Sequence, residues 1–122
     1  MVFYSAALIT LASNNIEVLV LFYTELLKQE PVVYFPNSYA EFQLTGLRLG
    51  IFKPKENNCQ EFQTQAKSGM SLCLEVSDLE AAIAHVTNLG YPPPKEILIA
   101  SHGKEIYAYD PAGNRLILHQ AR

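Results

Sequence analysis

The sequence predicts an α+β fold in which two tandem βαβββ modules form curved mixed sheets around a cavity. The first observation is that GLRLGIF at 46–52 matches GNRLILH at 113–119 at Gly, Arg and Leu, so Gly113 corresponds to Gly46 at an offset of 67. The second is an upstream match at an offset of 63, such as Ile9 with Leu72. The third is size, because neither half is long enough to bury an apolar core alone. The two halves are therefore expected to share a core or to pair with another chain.

The first half predicts one helix among four strands. Residues 4–12 form an apolar run that is typical of a strand. Asn14 and Glu17 have the spacing of a capping box and predict a helix over about 15–28, which Pro31 ends. Three further strands are predicted at 32–35, 39–43 and 47–53, the last two joined by a short turn at 44–46.

The second half predicts the same order of elements. A strand is expected at 70–76, and Ser77 with Glu80 forms a capping box that opens a helix to about Leu89. Gly90 is expected to cap the C-terminus of this helix. Strands at 96–100, 104–109 and 115–120 follow, and Asp110 to Asn114 supply the last turn.

Composition indicates one soluble globular domain over residues 1–122, with a first module at 1–55, a linker at 56–68 and a second module at 69–122. The chain is 49% hydrophobic and 17% charged, which is normal for a globular domain. Its net charge of −3, with no basic stripe, argues against a nucleic-acid partner. No apolar run has the length of a membrane helix, and residues 1–20 lack the features of a signal peptide. We therefore expect a cytoplasmic protein whose two cysteines are free thiols.

Alternation along the strands predicts one aliphatic and one mixed face for each sheet. The aliphatic face should pack under the helices. The mixed face contains Arg, Glu, His and Tyr side chains, and it is either solvated or lines a cavity. In the strand at 47–53, for example, Leu49 and Ile51 point one way while Arg48 and Gly50 point the other.

The chain resembles the vicinal oxygen chelate superfamily, which includes glyoxalase I, extradiol dioxygenases and fosfomycin- and bleomycin-resistance proteins. The resemblance covers essentially all 122 residues and rests on the order and spacing of several motifs within the paired modules. These motifs are FYTELL at 22–27, GLRLGIF at 46–52, LEVSDLEAAI at 74–83 and YDPAGN at 109–114.

In the metal-using members of that superfamily, four side chains hold the ion, one from the first and one from the last strand of each module. The resemblance places these positions at Leu8, Gly50, Ser71 and Ile117. Leu, Gly and Ile offer no donor atom, and a Ser hydroxyl is a weak ligand. We therefore predict no metal at the usual site and no cofactor, which argues against glyoxalase, dioxygenase and metal-dependent transferase activities.

Four side chains on the mixed faces are predicted to contact a ligand: Arg48, Glu75, Tyr107 and His119. Arg and Glu would hold polar groups of the ligand, and the aromatic ring would stack. If Glu75 has a purely structural role, we expect it to pair with Arg48 or Arg115.

The other reactive residues are expected to be structural. Cys73 lies in an apolar strand and is expected to be inert core. His85 is expected at a packing surface, and His102 in a solvated loop. No catalytic residue is assigned, so enzymatic activity stays open.

The predicted function is metal-independent binding of a small, partly apolar molecule in the concave sheet face, which resembles sequestration by bleomycin-resistance proteins. The alternatives are a glyoxalase- or dioxygenase-like enzyme with a metal or an unusual site, and a structural or regulatory interaction protein. A homodimer is expected, because family members commonly complete their cavities between chains and paired modules leave sheet edges to cover.

Overall fold

The computed structural model describes residues 1–63 and 68–122. Over these residues the elements alternate as two βαβββ series joined by a 3-10 helix. The strands are β1 (Ile9–Ala12), β2 (Val33–Phe35), β3 (Tyr39–Leu44), β4 (Leu47–Phe52), β5 (Leu72–Glu75), β6 (Leu98–Ala100), β7 (Gly103–Tyr109) and β8 (Arg115–Ala121). The α-helices are α1 (Ile16–Leu27) and α2 (Leu79–Asn88), and the 3-10 helix spans Glu56–Phe62. Within the described ranges, no helix combines the length and the apolar character needed to cross a bilayer.

The chain forms two compact units, Met1–Gln63 and Thr64–Arg122, and each contains one module. The first unit has a four-stranded sheet in the order β1-β4-β3-β2, and the second has one in the order β5-β8-β7-β6. In both sheets the first and last strands are parallel neighbours and the other pairs are antiparallel. The predicted α+β class with two βαβββ modules is confirmed. That both units belong to a single domain stays a prediction.

The strand register reproduces the internal repeat. Thr10 lies opposite Gly50 in the first sheet, and Cys73 lies opposite Ile117 in the second. The offset between Thr10 and Cys73 is 63, and that between Gly50 and Ile117 is 67, which are the two offsets found in the sequence. Corresponding positions of the two modules therefore occupy corresponding places in their sheets.

Helix α1, Ile16–Leu27, confirms the helix predicted over about 15–28, but its two ends are formed differently from the prediction. Its N-cap is Asn15, which makes no side-chain cap bond, and the Glu17 carboxylate accepts hydrogen bonds from Asn37 N at 2.6 Å and from the Tyr34 hydroxyl. The prediction of a capping box at Asn14 and Glu17 is therefore wrong. The helix ends before Lys28, whose φ of 54° is left-handed, so the backbone has already left the helix before Pro31.

Helix α2 is capped by Asp78 and not by Ser77. The Asp78 carboxylate accepts a bond from Ala81 N at 3.1 Å, which satisfies one free amide of the first turn. Another amide of that turn, that of Leu79, donates to Gln120 Oε1 at 2.7 Å. Gly90 follows the helix with φ of 100°, in agreement with its predicted role at the C-terminus.

Two other boundaries are corrected. Residues 4–8 precede β1 and belong to no strand, although they are apolar. Residues 56–62, within the predicted linker, form the 3-10 helix. Residues 64–67 of that linker lie outside the described residues.

Each helix packs on the aliphatic face of its own sheet. In the first module Tyr23 and Phe42 are fully buried, and their ring centroids lie 6.4 Å apart. In the second module Leu79 and Val86 of α2 are buried, as are Leu116 and Leu118 of β8. Burial of such side chains stabilises a fold by about 1.5–3 kcal/mol each. The opposite, open face of each sheet carries the mixed residues.

Candidate functional site

The open face of the second sheet gathers most of the predicted site. Alternation places the odd-numbered residues of β5, β7 and β8 on this face, since the even-numbered Leu116, Leu118 and Gln120 face α2. The open-face residues of these three strands include Cys73, Glu75, Glu105, Tyr107, Arg115, Ile117 and His119. Charged, aromatic and apolar groups therefore lie side by side on one surface.

Glu75 and His119 form a close polar contact on this face. They are register partners in the parallel pair of β5 and β8. His119 Nδ1 lies 2.8 Å and 2.9 Å from the two oxygens of the Glu75 carboxylate. Because an ionised carboxylate only accepts, Nδ1 donates this bond. The predicted pairing of Glu75 with Arg115 is therefore wrong, while its pairing with Arg48, which belongs to the other unit, stays a prediction.

His119 is buried although it is polar. Its side chain is 10% exposed, while Glu75 is 65% exposed. The other ring nitrogen, Nε2, is also buried and has no hydrogen-bond partner among the described residues. His119 therefore lies on the open face, as predicted. Glu75 orients the ring through Nδ1, and Nε2 is the nitrogen without a hydrogen-bond partner among the described residues.

His102 and Glu105 complete a polar cluster around His119. Glu105 is the register partner of His119 on β7, on the side opposite Glu75. The His102 ring stacks on the His119 ring with centroids 5.1 Å apart and planes 19° apart. His102 was expected to be a solvated loop residue, and it is exposed. Its contact with His119 depends on the β6–β7 turn and was not predicted.

Tyr107 lies on the same face, opposite Ile117, and Tyr109 lies opposite Arg115. Arg115 is engaged elsewhere, because its Nε donates to Ser71 Oγ at 2.7 Å. Tyr107 and Ile117 therefore form an aromatic and apolar strip between the His119 cluster and the Arg115 end of the face.

Arg48 belongs to the open face of the first sheet. Its Nη1 donates to Glu41 Oε2 at 3.4 Å, and Glu41 Oε1 accepts a bond from the Tyr39 hydroxyl at 2.7 Å. Partial burial, followed by the bond to Glu41, raises the pKa of Tyr39. The Arg48 side chain is 37% exposed, so part of its guanidinium stays accessible.

The residues at the positions that the resemblance assigns to a metal do not fit an ion. The hydroxyl of Ser71 already accepts the bond from Arg115. At Gly50, a Cβ would lie 3.0 Å from the Tyr39 hydroxyl and 3.4 Å from Thr10 Cγ2. The Tyr39 hydroxyl thus crowds the place where a ligating side chain at position 50 would begin and would have to shift by a few tenths of an ångström. Leu8 and Ile117 have no donor atoms.

Cys73 is exposed on the open face, so the expectation that it lies in the core is wrong. Partial desolvation raises the pKa of Cys73, and the negative charges of Glu75 and Glu105 raise it further. A raised pKa keeps the thiol protonated at neutral pH, which opposes a nucleophilic role.

The first unit also contains an open cleft that the sequence reasoning missed. Its volume is about 600 Å³, and it lies where β4 ends and the 3-10 helix begins. Its walls include Asn14, Lys53, Lys55, Glu56 and Cys59. Most of these residues lie in connecting segments, for which no periodic pattern predicts proximity.

The structure brings together three of the four predicted site residues. Glu75, Tyr107 and His119 share the second open face, with Glu75 and His119 in direct contact. Arg48 lies on the corresponding face of the first module.

Comparison with solved structures identifies the fold. A glyoxalase/bleomycin resistance protein from Catenulispora acidiphila matches with a TM-score of 0.69 and 20% identity, over 95% of this chain and 97% of that one. A lactoylglutathione lyase from Agrobacterium tumefaciens matches with a TM-score of 0.69 and 17% identity, over 96% of this chain and 94% of that one. A bleomycin-binding protein in complex with bleomycin matches with a TM-score of 0.68 and 20% identity, over 98% of this chain and 100% of that one.

The class that these matches define is the glyoxalase/bleomycin resistance fold, and the predicted resemblance to the vicinal oxygen chelate superfamily is confirmed at the level of the fold. No protein-family model and no curated protein matches the sequence. Since this fold supports many activities, function has to be argued from the site.

Proposed function

We propose that the chain binds a small, partly apolar molecule on the open faces of its sheets, and that this binding needs no metal ion. The observation that carries the proposal is the composition of the second open face. It combines an aromatic ring at Tyr107, an apolar side chain at Ile117 and a polar pair at Glu75 and His119. Sites with a few placed polar groups among apolar and aromatic surface are typical of ligand recognition.

Metal independence is supported by the chemistry of the four family positions. Leu8, Gly50 and Ile117 provide no donor, and the Ser71 hydroxyl is held by Arg115. An ion at those positions would have no strong protein ligand. Binding of a small molecule, as in the bleomycin-binding protein that was solved in complex with bleomycin, needs only complementary contacts.

The first test uses the fluorescent probe 1-anilinonaphthalene-8-sulfonate, which joins aromatic rings to an anionic group, titrated into the full chain with EDTA present. We expect saturable binding, since the open faces offer aromatic and cationic contacts. At the open face of the first sheet, Arg48→Ala is expected to weaken binding about tenfold, through loss of a charged hydrogen bond. At the open face of the second sheet, Tyr107→Ala is expected to weaken binding about fivefold, through loss of stacking.

Two controls make this test specific. Tyr107→Phe keeps the ring and is expected to bind like the wild type. Lys28→Ala removes a charge from the end of α1, where the side chain is 71% exposed, and is expected to change nothing. Unchanged dissociation constants in both Arg48→Ala and Tyr107→Ala, with native circular dichroism, would remove these faces as the site.

We also propose a homodimer. Strands β2 and β6 lie at sheet edges, and large apolar side chains there are exposed. Phe35 is 61% exposed and Ile99 is 86% exposed. Unpaired edges with apolar side chains favour pairing with another chain.

Sedimentation equilibrium at micromolar concentration is expected to give twice the chain mass of 13.6 kDa. Ile99→Lys should shift the protein toward the single-chain mass, and Lys28→Ala should not. A single-chain mass for the wild type would contradict the dimer.

The remaining proposals concern partners and location. The net charge of −3 supports a protein without a nucleic-acid partner. A cytoplasmic location is proposed because both cysteines are free thiols, which suits a reducing compartment.

A further inference from the structure

The second open face contains a group of metal-ligating atoms away from the family's metal positions. One donor atom each from His102, Glu105 and His119 lies within 4.8 Å of the other two. His102 Nε2 is 3.8 Å from Glu105 Oε1. Two imidazoles with one carboxylate are a donor set that holds zinc in proteins.

His119 has the orientation that a metal ligand requires. Its Nδ1 donates to the Glu75 carboxylate, so in the neutral ring the Nε2 nitrogen has a free lone pair. Among the described residues Nε2 is buried without a hydrogen-bond partner, which is costly for a polar atom unless something else satisfies it. It lies on the β7 side, because a Cβ on Gly103 would be 3.1 Å away. A carboxylate behind a ligating imidazole is a common arrangement in metal sites, where it fixes the ring and raises its basicity.

We propose that His102, Glu105 and His119 bind a divalent transition metal ion of the zinc class, with Glu75 positioning His119. Three protein ligands leave a fourth coordination position for water or another small ligand. With metal–ligand bonds of about 2.0–2.1 Å, tetrahedral donors lie about 3.3 Å apart. The present 3.8 Å between His102 and Glu105 is close to that distance. His102 is 64% exposed and can make the remaining adjustment.

This site does not depend on the proposed small-molecule function. The small-molecule titration is done with EDTA and therefore measures the metal-free protein. The zinc titration is done without a small molecule. If one of the two titrations shows no binding, the result of the other can still be interpreted.

The test is a calorimetric titration of zinc into the untagged, chelator-treated full chain at neutral pH. We expect one zinc ion per chain at micromolar concentrations and a rise in melting temperature on binding. His102→Ala should weaken binding by more than about 100-fold, since it removes a direct ligand and outer-shell partners alone are worth about 10–100-fold. Glu75→Gln should weaken it by about tenfold.

His85→Ala is the matched control, because this histidine lies on α2, outside the cluster. It is expected to bind zinc like the wild type. Since His102 is exposed, its substitution should leave the circular dichroism unchanged. No saturable binding, equal affinity in His102→Ala and the wild type, or equal loss in His85→Ala would each overturn the proposal.

A cobalt titration distinguishes the ligands. Cobalt(II) in this site should give d–d absorption without a thiolate charge-transfer band. A thiolate band would assign binding to Cys73 or Cys59 and would contradict the histidine site.

Discussion

Replacing Asp110 by alanine is expected to lower the free energy of unfolding by about 3 kcal/mol, because it removes the acceptor that organises the last turn. Asp110 is 3% exposed. Its Oδ1 accepts from Ala112 N at 2.9 Å and from Asn114 N at 3.0 Å, and its Oδ2 accepts from Asn114 Nδ2 at 2.8 Å. Alanine would leave three donors without this acceptor. Urea unfolding followed by circular dichroism measures the change.

Two variants calibrate this result. Asp110→Asn keeps one acceptor oxygen and is expected to fall between the wild type and Asp110→Ala. Asp78→Ala removes a carboxylate that accepts from the Ala81 amide at the start of α2, and should cost about 1 kcal/mol. A cost for Asp110→Ala no greater than that for Asp78→Ala would show that the turn does not depend on this carboxylate.

Gly103→Ala should be equally damaging, with a loss of about 3 kcal/mol or more. Gly103 has φ of 147°, and a Cβ there would overlap the Gln120 carbonyl oxygen. That oxygen belongs to the backbone of β8, so it cannot move away without separating β7 from β8. The same Cβ would lie 3.1 Å from His119 Nε2 and would disturb the site as well.

A series of glycine substitutions separates the steric clash of a new Cβ from the cost of a positive φ. Gly69→Ala meets no atom within 4 Å and is expected to change stability by less than about 0.5 kcal/mol. Gly90 has φ of 100° but open space around it. Alanine there should lower the free energy of unfolding only by the cost of holding a side-chain-bearing residue at positive φ, about 1–2 kcal/mol. If Gly103→Ala is no worse than Gly90→Ala in chemical unfolding, the close approach of β7 to β8 is not what requires glycine.

Much of the fold was predictable because it follows from local patterns. The repeated GLRLGIF and GNRLILH strands, with the upstream match, gave the two offsets, and the register of both sheets agrees with them. Alternation placed Glu75 and His119 on one face. The caps were less predictable, since Ser77 and Asp78 have similar capping chemistry. Gln120 binds the Leu79 amide, which places the start of α2 against β8.

The candidate site was predictable only in part. Residue type and alternation were enough to select Tyr107 and His119, because the face on which each residue lies follows from alternation along its own strand. The partner of Glu75 depends on which residue of β8 lies beside β5, and that is a property of the sheet. His102 lies in a turn, where no period applies, so its stacking on His119 was outside the reach of sequence patterns.

For this protein, sequence alone was sufficient for the order of the strands and α-helices, the twofold repeat and the side of each strand that faces a helix. The helices and strand faces follow from side-chain periodicity within single segments of the chain. Only the tertiary structure could decide that His119 has Glu75 on one side and Glu105 with His102 on the other. Glu75 and His119 are far apart in the chain, and the geometry of their contact is set by sheet register and packing.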